Sequence, residues 1–162
     1  MKTLNDKLSI LASMWKPTAK QLIQKSGSFI RPKDDQTAWT DGYFAETRAY
    51  DLEQIKAEAE LINAKGKLML YVAEENAGPE LKMVIPTCDS EPLEDIIFEF
   101  IGPDAVTLKS KNYTKHINGN YIGYFLRKYP YAKIELTPDY KPIKIFDVEE
   151  LVGVIMPVRI PE

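Results

Sequence analysis

The hydrophobic periodicity changes character at Gly66, and this change constrains the fold more than any other feature of the chain. Before Gly66 the apolar residues recur largely at helical spacing. After it they fall in short alternating or wholly apolar runs separated by turn residues. Leu4, Leu8, Leu11 and Trp15 form one helical stripe, and Lys16-Pro17 ends it and opens a second short helix, PTAKQLIQK, closed by Gly27. Asp51 can cap a third helix, LEQIKAEAELINAK, whose Leu52, Ile55, Ala59 and Ile62 share a face up to Gly66. Between these helices, SGSFIRPKDDQTAWTDGYFAETRAY reads as strand, exposed loop and strand, with the loop presenting Trp39.

Beyond Gly66, KLMLYVA is apolar on both faces, as a buried central strand would be, and LKMVIP follows after a turn. EPLEDIIFEFIG sets Leu93, Ile96, Ile97, Phe100 and Ile101 at helical spacing and is expected to be a helix. AVTLKS, KNYTKHI and NYIGYFL read as strands, the last two joined by Asn118-Gly119, a dipeptide suited to a type I′ hairpin. AKIEL, PIKIF and LVGVIMPV are further strands. The expected class is α+β, with N-terminal short helices followed by a strand-rich, mostly antiparallel C-terminal half. A single domain over residues 1–162 accommodates both: a mainly helical part, 1–65, containing one strand-loop-strand, and a β-rich part, 66–162.

Composition narrows the chemistry. Cys88 is the only cysteine and His116 the only histidine, so an intramolecular disulfide is impossible and a structural zinc site lacks its ligands. No metal and no cofactor is expected. Asn5 and Asp6 precede the first apolar cluster, unlike a signal peptide, and no run approaches the roughly 18 apolar residues of a membrane span. The expected location is cytoplasmic, with no membrane partner.

Catalytic constellations are scarce. His116 has no second ligand-type residue at metal spacing, and Cys88 has no flanking Lys, Arg or His to lower its pKa. Glu94 and Asp95 are adjacent and diverge on a helix, Glu149 and Glu150 diverge on a strand, and no Gly-rich phosphate loop occurs.

Five segments nevertheless stand in a suggestive order: CDSEP (88–92), GPDAVTL (102–108), INGNYIGYFL (117–126), IELTPDYKPI (134–143) and EELVGVIMPV (149–158). Over residues 80–160 this order resembles the peptidase domain of the self-cleaving SOS repressors and their mutagenesis-protein relatives. The resemblance implies a folded β-domain with Ser90 as nucleophile. The departures are specific. Cys88 and Pro103 stand where that family has glycines, and the general-base lysine would fall near Tyr124, in a segment without one. A serine hydroxyl needs an adjacent base to accept its proton, so catalysis would require Lys115 or Lys128 to enter through a change of register.

Non-catalytic work is therefore the expectation. Nine Tyr, two Trp and six Phe supply aromatic material, much of it beside charges, of the kind enriched where proteins meet. The expected role is a non-catalytic interaction or assembly protein, of the small self-contained kind that phages encode, binding a protein partner and open to homo-oligomer formation. In that setting it would work in the host cytoplasm or in a virion.

The alternative is a nucleic-acid-associated module. A net charge of −3 and a pI near 5.4 argue against a whole-surface binder, yet residues 1–50 hold eight Lys or Arg against five Asp or Glu. Arg31, Lys33 and Arg48, with Lys16, Lys20 and Lys25, would contact phosphates while Trp39 or Tyr43 stacks on a base. Asp34, Asp35, Asp41 and Glu46 are interleaved with them, which is also the pattern of a solvated face.

Overall fold

The computed structural model describes residues 2–17, 28–33, 36–40, 44–46, 70–72, 86, 88–98 and 104–158. The chain begins with helix α1, Leu4–Met14, where the leucine stripe places it. Thr3 caps this helix reciprocally. Its hydroxyl accepts from the Asp6 amide at 3.1 Å while the Asp6 carboxylate accepts from the Thr3 amide at 3.0 Å, satisfying two donors that a helix start otherwise leaves open. Leu11 is fully buried, and Leu4, Leu8 and Trp15 pack against the same core.

The strands are β1 (Ser28–Lys33), β2 (Gln36–Thr40), β3 (Phe44–Glu46), β4 (Leu70–Val72), β5 (Glu91–Pro92), β6 (Asp95–Ile97), β7 (Ala105–Lys109), β8 (Thr114–Asn118), β9 (Ala132–Leu136), β10 (Ile143–Asp147) and β11 (Glu150–Ile155). Eight of them make one sheet in the order β4-β1-β2-β3-β11-β10-β9-β5, and β6-β7-β8 make a second. Among the described residues every pairing is antiparallel except β1 with β4. The α+β class with a strand-rich, mainly antiparallel second half is thus the architecture.

The large sheet is assembled from both ends of the sequence. β3 joins β2 on one side and β11 on the other, with Trp39 opposite Glu46 and Gly153 opposite Glu46 across the two seams. The KLMLYVA segment contributes β4, which ends the described sheet order rather than occupying its centre. Trp39 lies within β2 and not in a loop. The helices expected over 18–25 and 52–65, and the strand expected over 81–85, lie outside the described residues.

EPLEDIIFEFIG does not begin as a helix. Glu91–Pro92 pairs with β9, and Asp95–Ile97 pairs with β7. Between them the chain changes sheets within two residues: the Leu93 amide donates to the Ile134 carbonyl at 2.9 Å and the Glu94 amide to the Lys109 carbonyl at 2.8 Å. Leu93 and Ile96 are both buried, so the apolar spacing that suits a helix serves here to fill a corner between sheets.

The second correction concerns Asn118-Gly119. No hairpin forms there. Asn118 ends β8 and is the N-cap of a second helix, α2, Gly119–Lys128, and its side-chain oxygen accepts from the Asn120 amide at 2.9 Å. Asn is among the best N-cap residues, so the same dipeptide serves a helix start as readily as a turn. NYIGYFL looked strand-like because it is apolar all round, and α2 buries Tyr121, Ile122, Tyr124 and Phe125 against neighbours on several sides. The β-rich part of the chain thus contains α2.

Two glycines one helical turn apart let α2 approach the end of α1. A Cβ at Gly119 would stand 2.6 Å from Cε2 of the Trp15 ring, with other ring atoms nearer. One at Gly123 would stand 3.0 Å from the Trp15 carbonyl carbon and nearer still to its oxygen. Trp15 is further held by Asp104, whose carboxylate accepts from the indole N–H at 3.3 Å while its carbonyl accepts from the Gly119 amide at 2.6 Å. On the sheet side, Gly153 of β11 leaves room for the Phe125 ring.

Candidate functional site

Among the described residues, the most concentrated polar chemistry is buried at the middle of the large sheet. Glu46, the last residue of β3, has no solvent exposure. Its carboxylate receives the Lys128 ammonium at 2.6 Å, the Tyr124 hydroxyl at 2.9 Å and the Tyr129 hydroxyl. Lys128 also donates to the Tyr124 oxygen at 3.3 Å and lies 5.7 Å from the centroids of both tyrosine rings. Phe44, two residues before Glu46, stacks on Tyr121 at 4.7 Å and meets Phe125 edge-on. A buried carboxylate is tolerable only when its lone pairs are filled and its charge is balanced, and this one has a cation and two phenols to do so. The arrangement ties α2 to β3.

Sequence reasoning counted Glu46 among solvated acids and missed this cluster. The available signal was an acid directly after Phe44-Ala45, facing tyrosines and a lysine at positions 124, 128 and 129 that recur at helical spacing. Reading those positions as a strand hid it. Tyr124, where the family resemblance calls for a base, and Lys128, a substitute for that base, are both engaged here with Glu46.

A second polar group surrounds residues 88–90. The Ser90 hydroxyl donates to a Glu135 carboxylate oxygen on β9. Glu135 is register partner of Lys144 on β10, and the Lys144 ammonium donates to the Cys88 carbonyl at 3.2 Å. This segment is thereby fastened across β9 and β10. Lys115, the other substitute base, is buried, and its ammonium donates to the carbonyls of Asp139 and, at 3.2 Å, Lys141. Burial pushes its pKa below the usual lysine range, against the opposing influence of Asp139 and Cys88. The Thr137 hydroxyl closes the same turn on the carbonyls of Lys141 and Pro142, at 3.0 and 2.8 Å. Lys115 thus pins the β9–β10 turn, in which Asp139 adopts a left-handed φ of 57°.

Cys88 is half-buried, and the fold brings Lys115 and Lys144 into its surroundings although neither flanks it in sequence. His116 is also half-buried, its Nδ1 2.9 Å from the Thr107 hydroxyl across the β7–β8 ladder. Glu91 holds the β7–β8 loop, accepting from the Ser110 hydroxyl at 2.8 Å, the Asn112 amide at 2.8 Å and the Asn112 side chain at 2.7 Å. Desolvation pushes its carboxyl upward, but these bonds, with Lys111 nearby, together outweigh it and hold the carboxyl below the usual range.

Of the residues considered for nucleic-acid contact, Arg31 and Lys33 lie on β1 opposite Ala38 and Gln36, and Trp39 lies on β2 opposite Ile30. Arg48 is outside the described residues. Among the described residues the exposed large apolar side chains are Met14, Tyr131, Tyr140, Val148, Met156 and Val158, with Tyr131 and Tyr140 about three-quarters exposed, at 76% and 73%. No helix among them is long and apolar enough to cross a membrane. Compared with known proteins, the chain matches no protein family, no curated protein and no solved structure.

Proposed function

We propose that this chain is a non-catalytic interaction or assembly protein that binds a protein partner through an aromatic and charged surface. The observation that carries the reading is the division among the described tyrosines. Tyr121, Tyr124 and Tyr129 are buried, whereas Tyr131 and Tyr140 stand outside at the two ends of the β9–β10–β11 meander, among Lys, Asp and Glu side chains. Tyrosine combines a large apolar face with a hydroxyl at small entropic cost, which favours it in contact surfaces. The engagement of Ser90 by Glu135, of Lys115 by backbone carbonyls and of Lys128 by Glu46 adds support, because each group that a Ser-Lys hydrolase would use already has another bonding partner.

The test is affinity capture with the full chain from the cells that produce it, read by mass spectrometry with and without nuclease. A protein recovered in both preparations at stoichiometric yield supports the reading. Recovery that nuclease abolishes turns it toward the nucleic-acid alternative. That alternative then requires affinity to fall steeply with salt and on neutralising Arg31, Lys33 and Arg48.

A further inference from the structure

The tip of the β10–β11 hairpin combines features that work against the fold's own stability. Asp147 and Glu150 are register partners, so the connection is the two residues Val148 and Glu149. Loops this short favour Gly, Asn or Asp where φ must be positive. Here the position is filled by a valine at φ 59°, a conformation in which a β-branched residue is a true outlier. Its side chain is 65% exposed, so the strained valine buries little of itself within the chain. Asp147 also pairs with Ala132, which sets the exposed Tyr131 beside the tip at the same end of the sheet. The tip segment itself carries three carboxylates, those of Asp147, Glu149 and Glu150, the last also bonded within the chain, and Lys133 lies on β9 opposite Phe146.

We propose that Val148 and Tyr131 form the docking point for a protein partner whose surface offers an apolar pocket inside a basic rim. The inference rests on the protein-binding reading above and names its surface and the partner's chemistry. Local strain retained at an exposed position is characteristic of sites that act on something outside the chain. An apolar side chain raised on a tight turn suits insertion, and the carboxylates on either side of it in the tip are complementary to Lys and Arg. The opposite end of the meander fits less well, because Tyr140 there is engaged within its own chain.

The experiment places a photo-crosslinking residue, p-benzoylphenylalanine, at position 131 and separately at position 140 of the full chain, in the cells that produce it. Each is repeated with Val148→Gly, and adducts are mapped by mass spectrometry. Val148→Gly relieves the backbone while deleting the apolar group. Its melting temperature should be equal or higher, while the adduct yield from position 131 falls about tenfold, the effect of losing a central contact residue. Loss of capture in a variant that is no less stable cannot come from unfolding. Adducts from position 131 should map to Lys- or Arg-containing peptides of another protein and weaken with salt. Adducts from position 140 alone overturn the tip while leaving the protein-binding reading standing, and no adduct from either overturns both. An adduct to a second copy, or a yield unchanged by Val148→Gly, overturns the assignment.

Discussion

Replacing Gly123 by alanine tests whether α2 is held at the distance its glycines permit. Alanine is better than glycine within a helix by about 1 kcal/mol, so on an exposed helix the change would stabilise. Here the added Cβ meets backbone, standing 3.0 Å from the carbonyl carbon of Trp15 and nearer to its oxygen. A carbonyl at the end of α1 cannot rotate aside as a side chain can, and Trp15 is tethered through its indole to Asp104 at 3.3 Å. Relief requires the two helices to separate, which loosens Leu11, Trp15 and Tyr121 together. Overpacking of this kind costs about 1–3 kcal/mol and occasionally more, and the helix-propensity gain offsets only part of the upper range. Because the clash is with backbone, the upper part of that range applies, and about 2–3 kcal/mol less the propensity gain leaves about 1–2 kcal/mol, a melting temperature lower by about 2–8 °C for a domain of this size. Thermal unfolding followed by circular dichroism reads it directly. A variant that melts at or above the parent temperature would refute the close approach of α2 to Trp15.

Glu46→Gln should cost about 3–5 kcal/mol in urea denaturation, since it leaves the Lys128 ammonium without its buried counter-charge, and Glu46→Gln with Lys128→Met should recover part of that loss. A single-variant loss under about 1 kcal/mol would mean the cluster does not tie α2 to β3. Incubation at alkaline pH should produce no self-cleavage, and Ser90→Ala should behave as the parent; a fragment pair present in the parent and absent in Ser90→Ala would overturn this. Asp95 receives the Lys7 ammonium at 2.5 Å, and that bond, aided by the Ile96 amide, holds its carboxyl below the usual range. A depressed carboxyl pKa contributes stability above the unfolded value near 3.9 that is lost as pH falls through the folded value. Asp95 is half exposed, so Asp95→Asn should cost less than about 1 kcal/mol at neutral pH, with the difference from the parent vanishing in acid. A difference that persists once the carboxyl is protonated in both the folded and the unfolded chain would show that the pair is not its source.

The parts of this fold legible in the sequence are those set by local pattern. The leucine stripe of α1 and the alternating strands β9 to β11 each declare themselves within a few residues. The errors arise where burial on several sides removes the alternation that separates helix from strand. NYIGYFL is apolar around its whole circumference, and Asn118-Gly119 is compatible with both a turn and an N-cap, so only the facing Trp15, Glu46 and Phe44 decide between them. Leu93 to Ile97 misled for the opposite reason, since a corner between two sheets imposes no period. The Glu46 cluster was missed because its members are 78 and 83 positions apart along the chain, and the helical spacing of Tyr124, Lys128 and Tyr129 that hints at it was read as a strand.

The place of β3 between β2 and β11 has a consequence for biosynthesis. Once Phe44 to Glu46 has left the ribosome, its β2 side can pair at once, but its other side waits for Gly153 to Ile155, more than a hundred residues later in synthesis. During that interval the nascent chain carries an unfinished strand border and a carboxylate whose lysine and tyrosines have not yet been made. Such a border can recruit a strand from a neighbouring chain, while an acid still in water discourages its premature burial. Glu46 would then act as a gatekeeper during translation and become a core residue only when α2 arrives. Substituting it with an apolar side chain should accordingly lower the soluble yield from rapid expression more than it lowers the stability of chains that have already folded.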